Sequence, residues 1–284
     1  MTRLAPILLL VLAGALSLPV SADSPYDADI RKALAGTTKI DERTEALARL
    51  AWGEDTASEG LASRARVMLV ESGRRGMGAI TEAFTWADAN RFADIMLASI
   101  QAEQNISSGD SPHTVPAIDR CIWYGSPDAK RLAMEYMTVR PVGILLLPVM
   151  DVAYEYPELT TVVIDTLGLM GDPRARFFLA DRLQNGTPRV RRHAAEALAL
   201  IGGRAREYLR AWALSDDSEL RQISFRALLP VSRVGDLTTL YEYMTLFPDD
   251  DPELLDAVRA RAQLMEEALA REEESQGHSP GIEE

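Results

Sequence analysis

The feature that most constrains this chain is a recurrence. The segments "PELTTVVIDTLGLMGD" (157–172), "PRVRRHAAEALALIGG" (188–203) and "SELRQISFRALLPVSR" (218–233) set their apolar residues in one register. Leu159, Val190 and Leu220 correspond, as do Val163, Ala194 and Ser224. Leu167, Leu198 and Leu228 form the third set, and Met170, Ile201 and Val231 the fourth. Their offsets of 0, +4, +8 and +11 lie on one face of an α-helix. Gly171 and Gly202 stand where a helix-ending glycine belongs, and Ser232 takes that place in the third segment. Each segment offers a single apolar stripe, so its neighbours must cover it.

The template extends with less regularity in both directions. Leu61, Ala65, Leu69 and Ser72 precede Gly73; Phe92, Met96 and Ile100 follow Asn90, read as an N-cap. Ala129, Ala133 and Met137 follow Ser126-Pro127, and Leu254, Val258, Ala262 and Met265 follow Asp251-Pro252, a cap and then a proline at the helix start. Anchors recur about every 30 to 37 residues. Second helical patterns lie between them at 77–87, 114–125, 142–156, 175–186, 205–216 and 237–247, and no segment alternates as a strand would. The expected fold is all-α: a right-handed α-solenoid of about seven stacked helical hairpins over residues 23–270. An acidic disordered tail is expected over 271–284, where apolar periodicity stops.

The run "PRVRRHAAEALALIG", with "SELRQISFRALL" after it, resembles the short HEAT-like repeats of phycobilin lyase subunits. Their pattern is a turn followed by V-R-x-x-A-A-x-A-L-x-x-I-G. Residues 157–233 carry the resemblance; residues 58–140 and 234–265 follow it by periodicity alone. It implies a solenoid and the interaction surface such folds offer. It also raises lyase or isomerase activity on a bilin, which fits badly with an exported chain.

Export is the reading of the N-terminus. Arg3, an apolar run from Ile7 to Leu18 and the small residues Val20 and Ala22 form a signal peptide over 1–22. The bacterial periplasm or the cell exterior follows. The longest later apolar run, Val142 to Met150, is far short of the roughly 20 residues a span needs, so no stable membrane insertion is expected after cleavage. The lone cysteine, Cys121, has no internal partner and is read as buried and inert.

Net charge is −13 over 284 residues, which argues against nucleic acid as a partner. The charge is uneven. Residues 174–233 hold 12 basic and 6 acidic side chains, and residues 234–284 hold 3 and 14. Catalytic and cofactor motifs are poorly supplied. The chain has three histidines, His113, His193 and His278, and none precedes a glutamate as in di-iron HEAT enzymes. "GRRGMG" (73–78) has no strand before it and reads as a helix turn. No catalytic, cofactor or metal residue is expected.

The arginines are the functional candidates. Lys130, Arg131, Arg191, Arg192 and Arg221 occupy the two positions after the anchor residue. There they oppose the helix dipole by a few tenths of a kcal/mol each, which something must offset. Two readings stand. In the preferred one, each arginine pairs with a carboxylate of the turn or of the next repeat, with Asp172, Asp181, Asp216 and Asp217 available. In the other, they form a stripe for an acidic protein partner. The acidic end, from "FPDDDPELLD" onward, could also fold back on the basic segment. Trp52, Trp86, Trp123 and Trp212 are read as closing the ends of the core, with an exposed aromatic ridge as the alternative. The leading function is a non-enzymatic scaffold or adaptor that binds a protein partner and needs no cofactor. An enzyme or enzyme subunit and a structural spacer are the alternatives.

Overall fold

The computed structural model of the protein describes residues 24–37, 39–53, 58–104 and 114–277. The expected signal segment, His113 and His278 lie outside them. Among the described residues there are fifteen α-helices and no strand, as the 3.6-residue periodicity requires. None of these helices is long and apolar enough to cross a membrane. The chain divides into two compact units, residues 1–152 and 153–284.

The first unit contains α1 (Asp27–Ala33), α2 (Ile40–Trp52), α3 (Glu59–Glu71), α4 (Arg74–Ala83), α5 (Phe92–Gln104), α6 (Thr114–Tyr124) and α7 (Pro127–Val139). Helix α8 (Leu146–Glu155) crosses the division. Alternate helices touch: α3 packs on α5 and α5 on α7, while α2 packs on α4 and α4 on α6. The result is two helix layers with a shared core. Ala65, Leu69, Met96, Ala133 and Met137 are fully buried within it, as the register requires. Ser126 caps α7 by accepting a hydrogen bond from the Ala129 amide, with Pro127 at the first helical position. Asn90 does not cap α5. It sits inside a short 3-10 turn, Ala89–Arg91, whose cap is Asp88, and the Asp88 carboxylate accepts from the Asn90 amide at 2.8 Å. Two polar side chains within three residues both suited the cap, and the turn chose the earlier one.

The second unit contains α9 (Thr160–Met170), α10 (Arg176–Asn185), α11 (Pro188–Ile201), α12 (Ala205–Ala213), α13 (Ser218–Leu228), α14 (Leu237–Leu246) and α15 (Pro252–Gly277). Helices α9, α11 and α13, the three aligned segments, pack side by side. Val163, Ala194 and Ser224 are fully buried, and so are Leu167, Leu198 and Leu228. The fourth set is different: Met170, Ile201 and Val231 are half-buried at the helix ends. Helices α9 and α11 approach closely, and a Cβ added at Gly168 would lie 2.8 Å from Cα of Ala197. Gly171 ends α9 in the left-handed region at φ 66°, a conformation glycine adopts without the Cβ clash. Helix α13 needs no such glycine. Pro230 cannot continue the amide ladder, and the chain leaves through a 3-10 turn, Leu229–Val231. Ser232 is then buried, its hydroxyl donating to the Leu229 carbonyl at 2.7 Å. Helix α15 continues to Gly277, so the boundary expected at Arg271 falls inside a helix. Residues 278–284 lie outside the described residues.

Candidate functional site

The five cations expected as a stripe separate into two kinds. Lys130 in the first unit is 2% exposed, and its ammonium donates to the Ile122 carbonyl. Arg191 in the second unit donates to Asp217 at 3.3 Å, to Glu219 at 3.2 Å and to the Gln184 carbonyl at 3.0 Å. Arg221 donates from Nε to Asp250 at 2.9 Å and from Nη1 to the Ser215 carbonyl at 2.7 Å. Its guanidinium also lies 3.9 Å from the centre of the Phe247 ring. Arg131 and Arg192, at the next position, are exposed. Arg192 faces a shallow groove lined by Pro188, Glu219, Gln222, Ile223 and Arg226.

The inward-turned arginines follow one rule, the preferred ladder reading. Arg191 on α11 reaches Asp217, the N-cap of α13. Arg221 on α13 reaches Asp250, beside Asp251, which caps α15 by accepting from the amides of Glu253 and Leu254. Arg226 reaches Asp251 itself. Asp217 and Asp251 thus each cap their own helix and neutralise a cation in the preceding repeat, while Asp250 neutralises Arg221 from beside the cap. That offsets the cost of an arginine in a helix's first turn. The first unit uses similar ties: Arg64 on α3 to Asp27 on α1 at 2.7 Å, and Arg66 on α3 to Asp94 on α5 at 3.1 Å.

Two carboxylates anchor the end of the array. Asp250 accepts from Arg221, from Gln222 and from the Tyr243 hydroxyl, the last at 2.9 Å. Burial disfavours the charged carboxylate, but these hydrogen bonds outweigh it and hold the Asp250 carboxyl below the usual carboxylate range. Asp236, fully buried, accepts from Arg210 and from the Arg233 amide, with Arg206 at 3.8 Å. Two residues of the acidic end, Asp250 and Asp251, therefore do engage the basic segment, through Arg221, Gln222 and Arg226. Of the partners first expected, Asp217 is the one that binds, through Arg191, and the other three are engaged elsewhere. Asp172 binds Arg174 in its own turn, Asp181 binds Asn185, and Asp216 offers Arg221 only a carbonyl.

His193 on α11 meets Asp165 on α9, Nδ1 to Oδ1, at 2.6 Å. The hydrogen bond with Asp165 holds the imidazole above its ordinary value against an opposing effect of burial. Cys121 is fully buried, and burial pushes its thiol well up, which makes it a poor nucleophile.

The second helices carry an aromatic cluster of which sequence reasoning offers only Trp212, as part of an exposed ridge. Phe177 is 61% exposed, with the Arg176 guanidinium 4.4 Å from its ring. Tyr208 stands edge-on to Phe177 at 6.3 Å and stacks on Trp212 at 5.7 Å. Tyr154 is exposed and packs edge-on to Phe178, with Arg182 over both rings. On α14, Leu237, Tyr241 and Leu246 line an open groove. A signal was present in "RFFLADR". Adjacent helical residues point about 100° apart, so Phe177 and Phe178 cannot both face the core. Of the tryptophans, Trp52 is buried in the core, while Trp123 is exposed.

Compared with known families, residues 153–229 match the family described as HEAT repeats. The match supports a HEAT-like repeat family and spans α9 to α13, the best-formed part of the register. A search of curated proteins finds no match to the chain.

Proposed function

We propose that this protein is an exported, non-enzymatic HEAT-type scaffold or adaptor that binds a protein partner. It would be a right-handed solenoid of about seven hairpins, acting in the bacterial periplasm or outside the cell. HEAT repeats commonly mediate protein interaction, and stacked helices present a long surface for it. The observation that carries the reading is the run Phe177, Tyr208 and Trp212 along α10 and α12. Aromatic side chains with adjacent arginines are the groups that dominate protein interfaces. Exposed Arg192 is what remains of the cationic stripe in the second unit for a partner to meet. The non-enzymatic reading is supported by the use of ionisable groups as ties: Asp236, Asp250, Arg191 and Arg221 are all engaged within the fold. The N-terminal signal pattern supports export.

A photo-crosslinking residue at Phe177 in the full chain, irradiated in the periplasm of a bacterial host expressing the protein, tests this. One discrete protein adduct is expected, absent when the same residue replaces buried Phe225. No adduct at Phe177, Arg192 or Tyr241 would favour the spacer reading.

A further inference from the structure

We propose that His193 and Asp165 form a pH-sensitive latch between neighbouring repeats, clamping α11 to α9 while the imidazole carries its proton and loosening as the proton leaves. The pair lies on a close backbone approach between two helices of the second unit. Asp165 is three residues before Gly168 on α9, and His193 four before Ala197 on α11, the two positions at which the backbones nearly touch. The Nδ1–Oδ1 distance of 2.6 Å is that of a charge-assisted hydrogen bond. Both side chains are about three-quarters shielded, at 27% and 25% exposure, so solvent screens the pair only in part.

The surroundings favour this assignment. The charged groups acting on the ring are Asp165 from α9, and Glu196 and Arg189 on α11 itself; Arg189 opposes the two carboxylates. On the other packed helices, Glu207 of α12 is exposed and the charged groups that follow are engaged elsewhere. On α13, Glu219 binds Arg191 and Arg226 binds Asp251. On α10, Arg182 lies over Tyr154 and Phe178, and Asp181 binds Asn185. On α12, Arg206 and Arg210 face Asp236. The next joint, α11 to α13, is tied by Arg191 to Asp217 and Glu219. Arginine keeps its charge throughout the range in which imidazole titrates. One joint of the matched region therefore responds to pH and its neighbour does not.

The sign follows from linkage. The folded state binds the imidazolium proton more tightly than the unfolded chain, in which histidine titrates near pH 6.5. The extra stability is fully present below about pH 6.5 and is lost as pH rises through the higher folded value. A neutral ring can still donate from Nδ1, so the clamp weakens without disappearing.

The test is urea unfolding of the full chain at pH 6 and pH 8.5, with amide exchange followed in α9 and α11. The wild-type midpoint should fall at the higher pH, with protection lost first in those two helices. His193→Gln and Asp165→Asn should each remove this fall, while the fall persists in Arg191→Gln. An undiminished fall in His193→Gln would overturn the latch, because His113 and His278 remain in that variant. So would an imidazole that titrates at or below about pH 6.5 by NMR in the folded protein.

Discussion

Asp236→Ala is expected to destabilise the protein by about 3–5 kcal/mol, near the lower end because Arg210 is partly solvated. The carboxylate is fully buried and sits in the 3-10 turn Val234–Asp236 that leads into α14. It accepts from Arg210 and, at 2.6 Å, from the Arg233 amide, with Arg206 at 3.8 Å. Alanine removes the acceptor and leaves the nearly buried Arg206 facing no counter-charge; its Nη1 keeps only the Val231 carbonyl at 3.0 Å. The corresponding position, immediately before α10, is Ala175, which is also buried. Asp236→Asn keeps an acceptor for the Arg233 amide and should cost less than alanine. Urea unfolding of the three proteins measures the series, and a cost below about 1 kcal/mol for alanine would show that the arginines find solvent instead.

Leu198→Ala should cost about 2–5 kcal/mol, with a similar cost for Leu167→Ala and Leu228→Ala. All three are fully buried at the same place in successive repeats. Each truncation removes apolar contact and leaves a cavity between helices that other contacts hold in place. Leu200, two residues further along α11, is 45% exposed, and Leu200→Ala should stay within about 0.5 kcal/mol. The contrast is the point, since both residues are leucines on one helix and differ only in the face they occupy. Equal costs for Leu198→Ala and Leu200→Ala would refute the register.

Much of the fold was legible because a helix repeats its burial every three to four residues. Val163, Ala194 and Leu198 announce the core without reference to any partner segment. The caps at Ser126 and Asp251 and the stop at Gly171 are equally local, and they are found where the sequence placed them. What was not legible depends on reach across repeats. That Arg191 and Arg221 must be neutralised follows from the helix dipole alone. Of their partners, which lie 26 to 29 residues away, Asp217 was among the carboxylates expected, while Glu219 and Asp250 were not singled out. Asp172 and Asp181 were equally acceptable by composition. The aromatic face was only half legible for a related reason: Phe177 beside Phe178 signals that one ring points outward, but not that it meets Tyr208 on the next hairpin.

The central claim is that Arg191 and Arg221 are ties within the fold rather than a surface for a partner. A double-mutant cycle on Arg221 and Asp250 tests it most directly, because their side chains are only 9% and 6% exposed and the bond between them is 2.9 Å. Arg221→Ala, Asp250→Ala and the double variant would be unfolded in urea under one set of conditions. A favourable coupling of about 1.5–3 kcal/mol is predicted, as for a shielded hydrogen bond between charged groups. Additivity within about 0.5 kcal/mol would contradict the ladder and return Arg221 to the surface as a residue available to bind.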